Sequence, residues 1–123
     1  MNSQRLDLDF SQGETFQFQI NITDANSNPL NLSLCSAVMD IKISYSSNTL
    51  TESLSTANSE IVLGTNAGIY NLTLPATRTA NIPVDLTHGI PPKTTYVYNF
   101  IFTDASSVSR KLLFGNLDVY GQV

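Results

Sequence analysis

Ile20-Asn21-Ile22-Thr23-Asp24-Ala25-Asn26-Ser27 and, eighty positions later, Phe100-Ile101-Phe102-Thr103-Asp104-Ala105-Ser106-Ser107 are two versions of one phrase. In each, apolar residues at every second position lead into Thr-Asp-Ala and a small polar turn. Alternation with period two marks a strand with one buried face. Asp, Asn and Ser favour turns because their short side chains bond nearby backbone groups in competition with ladder pairing. The two phrases therefore predict strands that end in matching turns, the cadence of a β-sandwich.

Outward from the first phrase, residues 15–23 alternate strictly, with Phe16, Phe18, Ile20 and Ile22 inward and Gln17, Gln19 and Asn21 outward. Upstream, Leu6, Leu8 and Phe10 alternate with Asp7 and Asp9, which predicts a first strand over residues 5–10 and a turn at Ser11-Gln12-Gly13-Glu14. Pro29 biases Asn28 towards an extended conformation, after which Leu30, Leu32 and Leu34 are candidate core anchors. Residues 36–45 predict a third long strand, with Ala37, Met39, Ile41, Ile43 and Tyr45 on one face. The other face, Val38, Asp40, Lys42 and Ser44, is mostly polar, as an antiparallel sheet open to water requires.

Short strands are expected over residues 49–54 and 60–63, then a turn over 64–68 and a strand marked by Tyr70, Leu72 and Leu74. Alternation lapses after Pro75, and the Ala-containing stretch predicts one short helix near residues 76–82. Residues 84–94, with Gly89 and Pro91-Pro92, read as a loop whose prolines limit its freedom. The second phrase closes a hairpin: Tyr96, Tyr98, Phe100 and Phe102 point one way, and residues 110–119 return. On the return, Leu112 and Phe114 share one parity while Leu117 and Val119 share the other, which predicts a β-bulge near Gly115. The expected fold is all-β, an antiparallel two-layer immunoglobulin-like sandwich of about seven or eight strands. At 123 residues the chain has a single-domain length, so residues 1–123 are read as one domain.

Composition narrows the function classes. The six basic residues, Arg5, Lys42, Arg78, Lys93, Arg110 and Lys111, are scattered among ten acids, and the net charge is −4. They cannot build the continuous positive surface that phosphate neutralisation needs, so no nucleic-acid partner is expected. Cys35, the lone cysteine, allows no internal disulfide and reads as a small buried hydrophobe. Residues 1–7 carry no apolar signal core and no apolar run reaches spanning length. No membrane partner is expected, and the chain is expected to stay where it is made or to travel as part of something larger.

Candidate chemistry is sparse. Asp24-Ala25-Asn26-Ser27-Asn28 matches the first half of an EF-hand loop, but Pro29 replaces the obligatory Gly and Cys35 stands where the bidentate Glu belongs. A plain turn is the favoured reading, and a weak ion site stays open only if Asp24 and Asp104 meet at one pole. His88, the sole histidine, sits in the Pro-rich loop with no identifiable partner for a triad or metal site. Asp7 and Asp9 share a strand face and read as edge-guarding acids in preference to a catalytic pair. No serine lies in a Gly-x-Ser-x-Gly elbow, and no glycine loop cradles a phosphate. Asn21-Ile22-Thr23, Asn31-Leu32-Ser33 and Asn71-Leu72-Thr73 have the form of glycosylation sequons, which arise by chance in so Asn/Ser/Thr-rich a chain. The aromatic row Tyr96, Tyr98, Phe100, Phe102 reads as core in preference to a sugar platform. Catalytic, cofactor-binding and metal residues are all expected to be none, and no cofactor is expected.

Several pieces line up in order: Gln12-Gly13-Glu14-Thr15-Phe16, Thr23-Asp24-Ala25 with Asn28-Pro29-Leu30-Asn31-Leu32, and Gly68-Ile69-Tyr70-Asn71-Leu72-Thr73-Leu74-Pro75. Thr79-Ala80-Asn81-Ile82-Pro83, Tyr96-Val97-Tyr98-Asn99-Phe100 and Leu112-Leu113-Phe114-Gly115-Asn116-Leu117-Asp118-Val119 follow. Over nearly the whole chain this order resembles small immunoglobulin-like domains of tailed-bacteriophage structural proteins, including those at the head of baseplate and fibre proteins. The sequence departs from that pattern in lacking a Gly in Asn26-Ser27-Asn28-Pro29 and in a longer link over residues 84–94. The resemblance implies a non-enzymatic virion component of the tail, baseplate or neck, assembled in the host cytoplasm. Its implied partners are other virion proteins and copies of itself. Residues 5–10 or 120–123 are the segments expected to pair with a neighbour's strand, and residues 84–94 are a candidate contact loop. A head decoration protein and a host-surface adhesion or carbohydrate-binding module are the alternatives.

Overall fold

Period-two alternation becomes a strand almost wherever it occurs. A computed structural model describes residues 3–24, 26–64, 67–87 and 89–121. In chain order the elements are β1 (Gln4–Arg5), β2 (Leu8–Ser11), β3 (Phe16–Asn21), β4 (Ser36–Lys42), β5 (Glu52–Ser55), β6 (Ile61–Leu63) and β7 (Ile69–Leu74). A single helical turn, α1 (Ala76–Thr79), and the long hairpin of β8 (Lys93–Thr103) and β9 (Ser109–Tyr120) complete the chain. The strands form two sheets, one ordered β1-β9-β8-β4-β5 with β2 also on β9, the other β3-β7-β6. This is an all-β sandwich with one short helix. Its strand order matches the B-E-D and G-F-C-C′ sheets of immunoglobulin-type folds.

Pairing departs from a wholly antiparallel arrangement at the first strand. β1 and β2 both run parallel to β9, and Gln4↔Leu113 and Leu8↔Leu117 keep one continuous register. A parallel neighbour is possible because β2 leads across to β3 in the other sheet, so no hairpin fixes the direction of β2 relative to β9. Between β1 and β2 the edge dips towards Gly115. The Leu6 N–H donates to Phe114 O at 2.9 Å, and the Asn116 N–H donates to Asp7 Oδ1 at 3.0 Å. A carboxylate thus takes the place of a ladder carbonyl. A Cβ on Gly115 would lie 2.4 Å from Leu6 O and 2.8 Å from Asp7 Oδ1, so this approach needs glycine.

The bulge lies three residues earlier than expected. Phe100 faces Leu113 and Ile101 faces Lys111, which leaves Leu112 as the extra residue on β9. That insertion switches the inward parity, so Leu112 is buried and then Gly115, Leu117 and Val119 are buried. Gly115 serves the close approach of Leu6 and Asp7, between β1 and β2, instead.

The core is built by the rows the sequence marks. Phe16, Ile20, Ile22, Ala37, Met39, Ile41, Tyr70, Leu72, Leu74, Tyr96, Tyr98, Phe100 and Phe102 are all buried. Across the gap between sheets the Tyr70 ring meets Phe100 and Phe102 edge-on, each at 6.4 Å between centroids. Three expected core residues lie outside. β4 ends at Lys42, so Ile43 and Tyr45 are exposed, and Leu34 is 80% exposed in the link before β4, where only Leu32 reaches the core and Leu30 packs partly against it. The strand expected over residues 49–54 is instead Glu52–Ser55, and β8 begins at Lys93, inside the expected loop.

Two core tyrosines differ in their hydroxyls. Tyr98 Oη donates to Leu6 O at 2.5 Å, tying the central strand β8 to the edge run, while Tyr70 Oη is buried with no partner among the described residues. Burial pushes both phenols up to about 12. A neutral hydrogen bond contributes about 1 kcal/mol net, whereas an unmet buried hydroxyl is a cost. Tyr98→Phe is expected to lower stability by about 1 kcal/mol, and Tyr70→Phe to leave it unchanged or raise it by up to about 1 kcal/mol. Denaturant melts of the two variants check this, and equal losses would overturn the distinction.

Candidate functional site

The two Thr-Asp-Ala phrases fold into the same turn, bond for bond. Asp24 Oδ1 accepts from the N–H groups of Asn26 (2.9 Å) and Asn28 (3.0 Å), and Asp104 Oδ1 accepts from those of Ser106 (2.9 Å) and Val108 (3.0 Å). The Asp24 N–H donates to Asn28 O and the Asp104 N–H to Val108 O, while the Ser27 and Ser107 N–H groups return to Asp24 O and Asp104 O. Ser27 and Ser107 both sit at φ 64°, the left-handed position that closes each turn without glycine. Ala25 lies outside the described residues. Ile20 pairs with Tyr70, which touches Phe102, so β3 and β8 end at the same pole of the sandwich. Oδ1 of each carboxylate is taken up by its own turn, so both aspartates act as turn formers.

The other candidates disperse. Asp7 repairs the β9 ladder and faces Arg5 (Nε to Oδ1, 3.3 Å), while Asp9 is exposed on β2. Asn71 Oδ1 accepts from Gln19 Nε2 at 3.0 Å and Asn31 Oδ1 from the Ser33 N–H at 3.1 Å. Cys35 is partly buried, its thiol 3.6 Å from Asn31 O. His88 and residues 122–123 lie outside the described residues. The aromatic row is core, so it presents no platform to solvent. Among the described residues no helix is long and apolar enough to cross a membrane.

What the structure brings together was not visible in the spacing. Arg78, on the turn of helix after β7, donates through Nη2 to Glu52 Oε1 and to Ser53 O (3.0 Å), and through Nη1 to Glu60 Oε2. Glu60 Oε1 also accepts from the Ser55 N–H at 3.3 Å. The guanidinium therefore staples the end of one sheet at β5 to the end of the other at β6. On the same helical turn Thr79 is fully buried, and its Oγ1 donates to Glu14 O at 2.8 Å and accepts from the Gly13 N–H at 3.1 Å. Gln12 Nε2 donates to Ile82 O at 2.6 Å. Tyr96 Oη, near the start of β8, donates to Pro83 O in the link that follows α1.

Two surface features stand out among the described residues. The described parts of the link, residues 84–87 and 89–92, are anchored by Thr94 Oγ1, which accepts from the Asp85 N–H at 2.9 Å, and by Pro92 O, which accepts from the Gly121 N–H at 2.9 Å. From this base they project Leu86, 59% exposed, and Ile90, fully exposed. The second feature is the set of sheet edges. On β1 and β2 one side is already used by β9, so residues 5–10 are part of the domain's own sheet. On β3 only β7 is paired. Comparison with protein-family models and with curated proteins finds no match to this chain.

Arg78→Ala would leave Glu52 and Glu60 facing each other without their cation. The arginine side chain is 32% exposed, which reduces the loss from that of a fully buried pair to about 1–2 kcal/mol. Thermal melts in low and high salt check it; a loss under about 0.5 kcal/mol at low salt would show the staple to be inert. Acid stability tests the repaired ladder. The Asn116 N–H holds the Asp7 carboxyl below its ordinary 3.8, against an opposing effect of burial and with help from Arg5. A lowered value means the contribution is fully present above 3.8 and is lost as pH falls through the lowered value. Asp7→Ala is therefore expected to flatten the acid limb of the stability curve, and an unchanged limb would contradict the role.

Proposed function

We propose that this domain is a non-enzymatic structural component of a tailed-phage virion, a connector or adaptor of the tail, baseplate or neck assembled through repeated protein contacts. The observation that carries the reading is the coincidence of the motif order with the elements of the sandwich. Gln12-Gly13-Glu14 is the β2–β3 turn, Thr23-Asp24 opens the turn after β3, Gly68 to Pro75 span β7, and the closing motif is β9. The candidate reactive side chains, meanwhile, are drawn into turns and ladders: Asp24 and Asp104 close turns and Asp7 completes a strand edge. Such an arrangement suits a rigid unit whose work is contact.

The contact surface that suits this role best is the loop of residues 84–92. Its base is tied to β8 and the end of β9, so Leu86 and Ile90 are held out at little further entropic cost on docking. The adhesion or carbohydrate-binding alternative would need a platform other than the buried aromatic row.

The test is the particle. Mass spectrometry and cryo-electron microscopy of purified virions from the phage that encodes the chain are expected to find it in stoichiometric, symmetric copies. Its absence from particles would overturn the reading. Ile90→Asp, at a fully exposed site, is expected to leave the melting temperature unchanged and to cut incorporation into particles at least tenfold.

A further inference from the structure

Among the described residues, β3 is the one long edge with no guard against pairing. Natural sheet edges are blunted by charges, prolines, bulges or brevity. The β1–β2 run carries Arg5, Asp7 and Asp9, β5 carries Glu52, and β6 is three residues long. Residues 15–23, Thr-Phe-Gln-Phe-Gln-Ile-Asn-Ile-Thr, hold no charge and no proline, and β3 pairs with β7 in unbroken register. The edge is open by construction. In constant-type immunoglobulin sandwiches the first strand belongs to the sheet of the second. Here the whole first run lies on β9 from Gln4 to Ser11, and the place beside β3 stays empty among the described residues.

The free backbone groups can be assigned. The Ile22 N–H donates to Gly68 O, so in β3 the even-numbered residues face β7 and Gln17, Gln19 and Asn21 aim their N–H and C=O groups at the open side. Beneath that side runs a groove of about 310 Å³ between the two sheets, bordered by Leu6, Phe18, Ile20 and Leu113, with Leu6 40% exposed.

The geometry points to a second copy of this chain as the occupant, its β3 laid antiparallel against this one about a two-fold axis at Gln19. In that register Gln17 faces Asn21 of the second copy and Gln19 faces its own counterpart, so every outward backbone group finds a partner. Phe18 falls opposite Ile20 and Phe16 opposite Ile22, which continues the apolar inner face, while neutral amides meet on the outer face. The Gln19–Asn71 amide bond would extend into a ladder across the join. Self-complementarity favours self-pairing: residues 15–23 carry no charge, so two copies that each carry −4 meet at this edge with apolar faces matched and no like charges opposed. An antiparallel two-fold contact closes on itself, giving a dimer and no fibre. The inference does not depend on the virion reading.

Three variants and one measurement test it. Sedimentation of the full chain over a wide concentration range is expected to show a monomer–dimer equilibrium. Gln19→Lys sets two ammonium groups opposite each other at an exposed site and is expected to weaken dimerisation at least tenfold with the melting temperature kept. In a Cys35→Ser background, Gln19→Cys places the two cysteines across a hydrogen-bonded antiparallel pair, about 5.5 Å between Cα atoms, within disulfide reach. It is expected to oxidise to a covalent dimer, while Gln17→Cys is not. A monomer at all concentrations, equal cross-linking at positions 17 and 19, or capture of a different protein at position 19 would overturn self-pairing. None of these bears on whether the chain is found in particles.

Discussion

Four rings on one strand hold the domain together. Tyr96, Tyr98, Phe100 and Phe102 project from the buried face of β8, and three separate parts of the molecule are fastened to them. Tyr96 bonds the link that follows α1, Tyr98 bonds the edge run at Leu6, and Phe100 and Phe102 meet Tyr70 of the opposite sheet. β8 also lies between β4 and β9, so its backbone is paired on both sides. Aromatic side chains combine large buried area with few rotors, which makes such a row an economical centre for a small core.

Around that centre several polar side chains hold turns and strand edges together. The same Asp-led turn is used twice, at the ends of β3 and β8, and in both the carboxylate replaces missing backbone partners. Asp7 does the equivalent for a ladder interrupted at Gly115, and Thr79 does it for the turn before β3. Arg78 joins the two sheets where β5 hands over to β6. At the surface, the loop end holding Leu86 and Ile90 exposes apolar side chains, and β3 has β7 as its one ladder partner among the described residues.

Much of this was legible in the residues themselves. Alternation marked the buried faces of β3, β4, β7 and β8, Pro75 marked the start of α1, and the repeated phrase marked two turns that are the same turn. Those features are local: a two-residue period or a short polar side chain acts within a few bonds of where it stands. Where the reading failed, the deciding partner was distant. Ile43 and Tyr45 continue the alternation of β4, but the chain turns after Lys42, with the Ser47 N–H returning to Ser44 O, while β8 runs on to Lys93, so the pairing ends and they are exposed. Leu34 has the right spacing and the wrong place, in a link that turns before it can reach the core.

The parity switch in β9 shows the division sharply. That a residue had to be inserted followed from Leu112, Leu117 and Val119 alone; that it is Leu112, and that Gly115 is reserved for Leu6 and Asp7, required the strand lying alongside. The same holds for the parallel seat of the first strand on β9, the Arg78 staple and the open flank of β3. Sequence by itself determined which face of each strand is buried and where the chain turns, because both are properties of neighbouring residues. Only the tertiary structure decided which strands lie side by side and which edge is left without a partner, because pairing joins residues a hundred positions apart and periodicity carries no record of the neighbour.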